Sequence, residues 1–362
     1  MTITPRKGVL DITPYKPGES KIAGVDRIIK LASNESPLGA SPKVYDALEQ
    51  ALKKDLALYP DPACTELRQA IGEVHGINPA QILCTNGSEE MLTLLVRAYV
   101  GDDDEVILSK YGFLVPPLMT MAAGGTPVLV EEQDYVADID GMIAAQTART
   151  KMVVLANPNN PTGTYVPFSE IRRLREELRD DILLVLDAAY AEYPETDDYN
   201  AGMELVNNGL DNVVVSRTFS KIYGLASLRV GWAYLPPAVM GVLNRIRGTF
   251  NVNNLSQIAA TAAVMDQDHV VRARTHNNRW LPLMTERLQS MGLKVTPSLG
   301  NFVLVHFASA EQAQAADSFL RSQGIIVRPV GNYGLTNSLR ISIGRDEESE
   351  AALVALKEFM LP

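Results

Sequence analysis

Cysteine, histidine and positive charge are all scarce in this sequence, and each scarcity removes a class of function. The two cysteines, Cys64 and Cys84, offer neither a disulfide framework nor the paired spacing of a zinc site. The four histidines, His75, His269, His276 and His306, are scattered and never form a metal-like pair, so no metal is expected. Lys and Arg number 33 against 43 Asp and Glu, a formal net charge of −10. Phosphate backbones require a basic surface, so nucleic acid is not the expected partner, although a local basic pocket for a small anion stays open. No run approaches the roughly 20 apolar residues that span a bilayer, and residues 1–10 lack the apolar stretch of a secretory leader. No membrane association and a cytoplasmic location are therefore expected. No internal repeat and no low-complexity tract is present.

What is present suits a sizeable core. The chain has 362 residues, 46% of them hydrophobic and 21% charged, which predicts a globular protein of two packed units. Residues 1–30, rich in Pro, Gly and Lys, read as an extended arm. A helix is expected over 42–57 from the spacing of Val44, Ala47, Leu48, Ala51 and Leu52. From there to about residue 235, short apolar runs alternate with amphipathic stretches. Strands are expected at 82–84, 105–108, 127–130, 152–156, 182–186 and 213–216, with helices at 88–100 and 168–179. Such alternation is the mark of a parallel sheet covered on both faces. Beyond about 254 the texture changes to a long helical stretch (254–290), strands at 293–296, 301–307, 325–328 and 338–343, and helices at 310–323 and 347–359. That pattern predicts a smaller α+β unit.

Ligands on parallel sheets sit at the carboxyl ends of the strands, and four strand-end loops carry distinctive residues. In Thr85-Asn86-Gly87-Ser88-Glu89-Glu90, Gly87 permits close backbone approach and a helix start presents free N–H groups suited to phosphate. Equally, Ser88 is simply a good helix cap. In Asn157-Pro158-Asn159-Asn160-Pro161-Thr162-Gly163, two prolines and a glycine make a rigid turn, and an amide fixed between prolines is a preorganised donor. Asp187, ending Leu184-Val185-Leu186-Asp187-Ala188-Ala189-Tyr190, would be costly to bury without a partner, or it caps a helix. The fourth loop, Ser216-Arg217-Thr218-Phe219-Ser220-Lys221 with Arg229, offers a lysine, which is either solvated or, when buried near other cations, nucleophilic.

Taken together and in this order, these residues resemble the fold-type I pyridoxal-5′-phosphate (PLP) aminotransferases, and within them the histidinol-phosphate aminotransferases. The likeness extends to Pro14-Tyr15-Lys16-Pro17-Gly18, to Leu31-Ala32-Ser33-Asn34-Glu35-Ser36-Pro37-Leu38-Gly39, to Tyr59-Pro60-Asp61 and to Leu339-Arg340-Ile341. It implies an α/β fold: a large domain with a mostly parallel seven-stranded sheet covered by helices, and a smaller α+β domain. The implied division is an arm at 1–30, a first part of the small domain at 31–55, the large PLP-binding domain at 56–260, and the small C-terminal domain at 261–362.

The resemblance also implies roles. Lys221 would be the Schiff-base lysine and proton shuttle, Asp187 the partner of the pyridine nitrogen, and Asn160 and Tyr190 the donors to the ring oxygen. Thr218, Ser220, Arg229 and the amides of Gly87, Ser88 and Glu89 would hold the phosphate. Tyr111 would stack on the ring, with Phe113 a competing candidate. Tyr59 would reach the phosphate in a neighbouring subunit, which implies a homodimer with shared sites. Asn34, Arg340, Arg328 and Tyr15 would meet the substrate. The implied activity is ping-pong transfer of an amino group between L-histidinol phosphate and 2-oxoglutarate, in histidine biosynthesis. An aromatic amino-acid aminotransferase and a PLP-dependent decarboxylase are the rival readings. Ser36 departs from the commoner family pattern, which has asparagine there, and that touches substrate detail rather than the cofactor set.

Overall fold

A computed structural model describes residues 3–14, 18–22, 27–53 and 56–361. Its larger sheet has seven strands. Across the sheet they run Ile82–Thr85, Gly231–Tyr234, Val213–Thr218, Leu183–Asp187, Thr150–Ala156, Glu105–Ser109 and Thr126–Val130. All neighbours pair in parallel except Gly231–Tyr234, which is antiparallel to both strands beside it. The apolar runs are continuous because both faces are buried. Alternate residues divide between two cores: Val153, Leu155, Leu184, Leu186, Val213 and Val215 enter one, and Met152, Val154, Leu183, Val185 and Val214 the other.

The strand Gly231–Tyr234, not expected from the sequence, is what assembles the site. A parallel neighbour needs a crossover, usually a helix, whereas an antiparallel one returns directly. Here the chain leaves strand 213–218 at Thr218 and comes back with Gly231 paired opposite that same Thr218. The loop between them, carrying Ser220, Lys221 and Arg229, therefore starts and ends at one edge of the sheet. Gly231 also pairs with Thr85, so the turn at Gly87 lies alongside. The approach is close enough that a Cβ on Gly231 would stand 2.5 Å from Ser88 N.

The second sheet is antiparallel, in the order Lys294–Thr296, Phe302–His306, Ser338–Ser342, Arg328–Pro329. Its core joins Val303, Val305, Leu339 and Ile341 to apolar residues of the helices Ala310–Ser322 and Asp346–Met360. The expected strand 325–328 is two short strands. Ile325–Ile326 pairs in parallel with Ile29–Lys30, and Arg328–Pro329 joins the second sheet.

The expected single helix over 254–290 is two helices, Asn254–Met265 and Gln267–Ser290, interrupted at Asp266 (φ −94°, ψ 71°). The Asp266 carboxylate accepts from Ser41 Oγ and pairs with Lys43 at 3.1 Å. This ties the break to the start of the helix Pro42–Leu52, which ends earlier than its spacing predicts. In packing terms Val44 belongs to the core of the larger sheet and Leu31 to that of the smaller. The helix Gln267–Ser290 spans both, with Val270 and Ala273 in the first and Trp280, Met284 and Leu288 in the second.

Candidate active site

Five strand ends of the larger sheet, at Thr85, Ser109, Ala156, Asp187 and Thr218, lie at one edge, and a cleft of about 190 Å³ opens above them. Its walls include Ser88, Glu89, Phe113, Asn160, Asp187, Tyr190, Thr218, Ser220, Lys221 and Arg229. A second cleft of about 210 Å³ adjoins it through Phe113, Ala156 and Asp187. Residues scattered over 140 positions of sequence thus meet because strand ends are where a parallel sheet leaves backbone exposed.

At one end the cleft is built for an anion. Gly87, at φ 82°, caps the helix Ser88–Tyr99, so Ser88 is the first helical residue and not the cap, and no side chain bonds the helix start. The amides of the first turn have no partner within the helix, and the helix dipole adds positive potential there. The Arg229 guanidinium lies against the turn: a Cβ on Gly87 would stand 2.4 Å from its Nη2. Arg229, itself at φ 52°, donates to Ala226 O (3.0 Å) and Ser220 Oγ (3.3 Å). Thr218 Oγ1 accepts from Ser220 N (3.1 Å) and steadies the loop.

Asp187 lies at the other wall, 6% exposed, and its Oδ1 has no hydrogen-bond partner among the described residues. Burial pushes its carboxyl up to about 6, a rise opposed by the Ala189 amide and by the charge of Lys221. Lys221 shows the reverse. Burial, with Arg340 next, brings its amine down to about 8, and Nζ donates to Ser33 O (3.2 Å). A carboxyl raised and an amine lowered in one cleft are shifts of the kind that concentrate at functional sites. Tyr190 stands between them. Its ring lies 5.7 Å from Lys221 Nζ, its hydroxyl accepts from Asn34 Nδ2 (2.8 Å), and burial pushes its phenol up to about 12.

The three asparagines of the Asn157–Gly163 turn divide their work. Asn157 closes the turn on Val166, donating to its carbonyl (3.0 Å) and accepting from its amide (2.8 Å). Asn159 bonds Thr162 Oγ1 (3.0 Å). Asn160 lines the cleft, and its Oδ1 accepts from Arg340 Nη1. Arg340, 5% exposed, also donates to Ala32 O (2.7 Å). It thereby joins the smaller sheet and segment 32–34 to the cleft wall.

Other residues singled out in the sequence differ in how they stand to the cleft. Tyr111 packs against Tyr135, ring centroids 6.0 Å apart, beside Tyr333 and Leu335, while Phe113 lines the cleft. Arg328 sits directly opposite Arg340 in the strand register. Tyr59 is 79% exposed and stacks on Phe250, centroids 4.4 Å apart at 11°. Tyr15 lies outside the described residues. Arg217 shares a loop motif with Lys221, yet strand alternation turns it to the opposite face, where it pairs with buried Glu192 at 2.7 Å. The Ser33 carbonyl that receives Lys221 was not foreseen, because a backbone acceptor leaves no trace in residue identity. Among the described residues no cluster of side chains could hold a metal, and no helix is long and apolar enough to cross a membrane.

Comparison with known proteins agrees with this geometry. The model of the aminotransferase class I and II family matches residues 26–356. A histidinol-phosphate aminotransferase of Paramagnetospirillum magneticum is 51% identical over 98% of each chain. One from Rhodospirillum rubrum is 52% identical over 98% of this chain and 96% of its own. The crystal structure of the histidinol-phosphate aminotransferase of Sinorhizobium meliloti in complex with pyridoxal-5′-phosphate superposes with a TM-score of 0.86 at 32% identity, covering 91% of this chain and 90% of that one. The chain belongs to the aminotransferase class I and II family and, within it, to the histidinol-phosphate aminotransferases.

Proposed function

We propose that this chain binds pyridoxal-5′-phosphate and transfers the amino group of L-histidinol phosphate to 2-oxoglutarate, as a cytoplasmic enzyme of histidine biosynthesis. The observation that carries the reading is the pairing, in one cleft, of a buried carboxylate that lacks a partner on Oδ1 with a half-buried amine of lowered pKa. An anion-ready helix start and Arg229 lie at the far end. These groups fit the cofactor: Asp187 Oδ1 would meet the protonated ring nitrogen, and Ser88, Glu89, Thr218, Ser220 and Arg229 the phosphate.

When bound, the cofactor supplies an electrophilic aldehyde and an electron-withdrawing ring. Lys221 would hold it through Nζ, and the same amine would serve as the base for the α-proton of the amino donor. An amine near pKa 8 is unprotonated often enough at neutral pH to do this, which an exposed lysine is not. Asp187 holds the ring nitrogen charged. Tyr190 and Asn160 would donate to the ring oxygen, with Asn34 orienting the Tyr190 hydroxyl, and Phe113, which lines the cleft, would cover the ring in preference to Tyr111. Arg340 grips the carboxylate of the oxo acid, since a guanidinium forks onto a carboxylate, and Arg328 together with Tyr15 serves the substrate's anionic end.

The same reading includes a homodimer. Leu56, Leu58, Tyr59 and Phe250 form an exposed apolar group that a second copy would cover, bringing Tyr59 to the partner's phosphate end.

Purified protein supplied with PLP, histidinol phosphate and 2-oxoglutarate is expected to form glutamate, with kcat/KM for histidinol phosphate well above that for phenylalanine. A preference for phenylalanine would point to an aromatic aminotransferase. Carbon dioxide release without glutamate would point to a decarboxylase.

Arg229→Ala tests the phosphate end. Hydrogen bonds to charged groups are worth about 1.5–3 kcal/mol, so the dissociation constant for PLP should rise roughly 10- to 100-fold. Affinity for pyridoxal, which has no phosphate, should stay unchanged. Equal losses for the two ligands would show that Arg229 acts on the fold rather than on the phosphate.

A further inference from the structure

Glu132 is a half-buried residue beside the cleft, with one carboxyl oxygen fully buried, that the proposed reaction does not use, and it sits where three segments cross. It begins the short strand Glu132–Gln133, which pairs with Val136–Ala137 just beyond the edge strand of the larger sheet. Its Oε1 accepts from Ser109 Oγ, from Tyr111 N (3.2 Å) and, at greater length, from Asn159 Nδ2 (3.4 Å). Its Oε2 is buried with no hydrogen-bond partner among the described residues, and so is Asn159 Oδ1. Two buried acceptors on neighbouring side chains, with no donor for either, are an unfavourable arrangement for a carboxylate and an amide. A proton on Oε2 would ease it, because a carboxylic acid has an O–H to donate where a carboxylate only accepts.

The surroundings favour that proton. Among the described residues no Lys, Arg or His pairs with Glu132. The charged groups nearest it are Glu131, which adds to the rise, and Lys110, which is engaged with Glu131 at 2.6 Å. Tyr111 presents its backbone amide. Beyond the hairpin turn, Tyr135 stacks on His306 (4.7 Å, 20°) and lies 5.5 Å from Lys294 Nζ, so those two groups face Tyr135. Burial raises the Glu132 carboxyl from 4.5 to about 7, opposed by the bonds from Ser109 and Tyr111.

The two segments joined by Glu132 lead directly to the cleft. Ser109 and Tyr111 precede Phe113, and Asn159 precedes Asn160; both Phe113 and Asn160 line the cleft. We propose that Glu132 is a positioning residue, which in its neutral form locks the Ser109–Phe113 segment to the Asn159–Asn160 turn and so keeps Phe113 and Asn160 in place against the ring. This rests on the PLP reading above.

The test compares Glu132→Gln, Glu132→Ala and the wild type. Glutamine keeps the acceptor for Ser109 and Tyr111, and its amide offers an N–H in place of the acid O–H at every pH. Titrating the apo-proteins with PLP, Glu132→Gln should bind like the wild type at pH 6 and hold that affinity to pH 9, whereas wild-type affinity falls as pH rises through 7. Glu132→Ala should bind about tenfold or more weakly throughout, with kcat lowered in step, since loosening a site by an ångström has effects of that order or greater.

Melting of the apo-proteins gives a readout independent of the cofactor. A carboxyl whose folded pKa lies above its unfolded value loses stability as pH rises from 4.5 to about 7, and no more above that. The wild-type Tm should therefore fall relative to Glu132→Gln across that window and then run parallel to it. A Gln variant as damaged as the Ala variant, or a wild-type-to-Gln Tm difference that stays constant across the window, would overturn the proposal. Should the wild type take up no PLP at all, the functional reading fails, and the melting comparison still decides the state of Glu132.

Discussion

Lys221→Ala is expected to lower turnover by roughly 10⁴-fold, the upper end of what one positioned proton-transfer group contributes, because it removes both the attachment point and the base. The effect should be on chemistry more than on binding. The phosphate end of the cleft, formed by the first turn of Ser88–Tyr99 with Ser220 and Arg229, is untouched, so the variant should still take up PLP. It should do so without a covalent link: borohydride treatment of the wild type should add the reduced cofactor's mass to the peptide containing Lys221, and the variant should gain none. Single-turnover measurement of α-proton release from the amino donor then isolates the missing step. A variant with near-normal proton release, or borohydride labelling at another lysine, would remove Lys221 from its assigned role.

Asp187→Asn carries the second large effect, and its sign depends on whether the cofactor is present. With PLP bound as proposed, the carboxylate would face a ring cation in a buried site. Breaking one partner of such a pair costs about 3–5 kcal/mol, which converts to roughly 10²- to 10³-fold weaker cofactor binding and a similar fall in kcat. Asp187→Glu, which keeps the charge, should recover part of both.

Without PLP the sign reverses. The carboxyl is raised from 3.8 to about 6 in the folded chain, so the apo-protein loses stability as pH climbs from about 4 to 6 and carries that deficit at every higher pH. Asparagine carries no such deficit. At pH 8 the apo-variant should therefore melt at or above the wild-type temperature, while the PLP-loaded variant melts below it. The crossing is the diagnostic, and a loss of Tm in both forms would mean that Asp187 serves packing rather than the cofactor.

Much of the site could be read along the chain because its parts sit where local rules place them. Asp187 follows a run of buried apolar residues, Asn160 lies between two prolines, and Gly87 precedes a helix. In each case a strand end, a turn or a helix start is signalled by immediate neighbours. The starts of the helices that were expected and most strand positions were similarly accessible, since a strand buried on both faces shows as an apolar run, whereas helices such as Thr65–His75 and Pro237–Ile246 were not expected.

The misses have a common cause. The break at Asp266 depends on Ser41 and Lys43, more than two hundred residues away in sequence. The short strand Gly231–Tyr234 opens with a glycine and is stabilised by neighbours on both sides, so nothing local announces it. Glu132 reads as a surface acid in an acidic stretch until Ser109, Tyr111 and Asn159 close around it.

By itself, then, the sequence determined the kind of fold, the family and the order in which a lysine, an aspartate, an asparagine, a tyrosine and an arginine arrive at strand ends. Only the tertiary structure decided between the two candidate rings, with Phe113 rather than Tyr111 lining the cleft, and showed what Asn157, Asn159 and Arg217 do beside it. The physical reason is that residue type and turn chemistry act over a few neighbours. The face a side chain presents is set instead by strand register and sheet order, and those follow from long-range pairing that no short stretch of sequence contains.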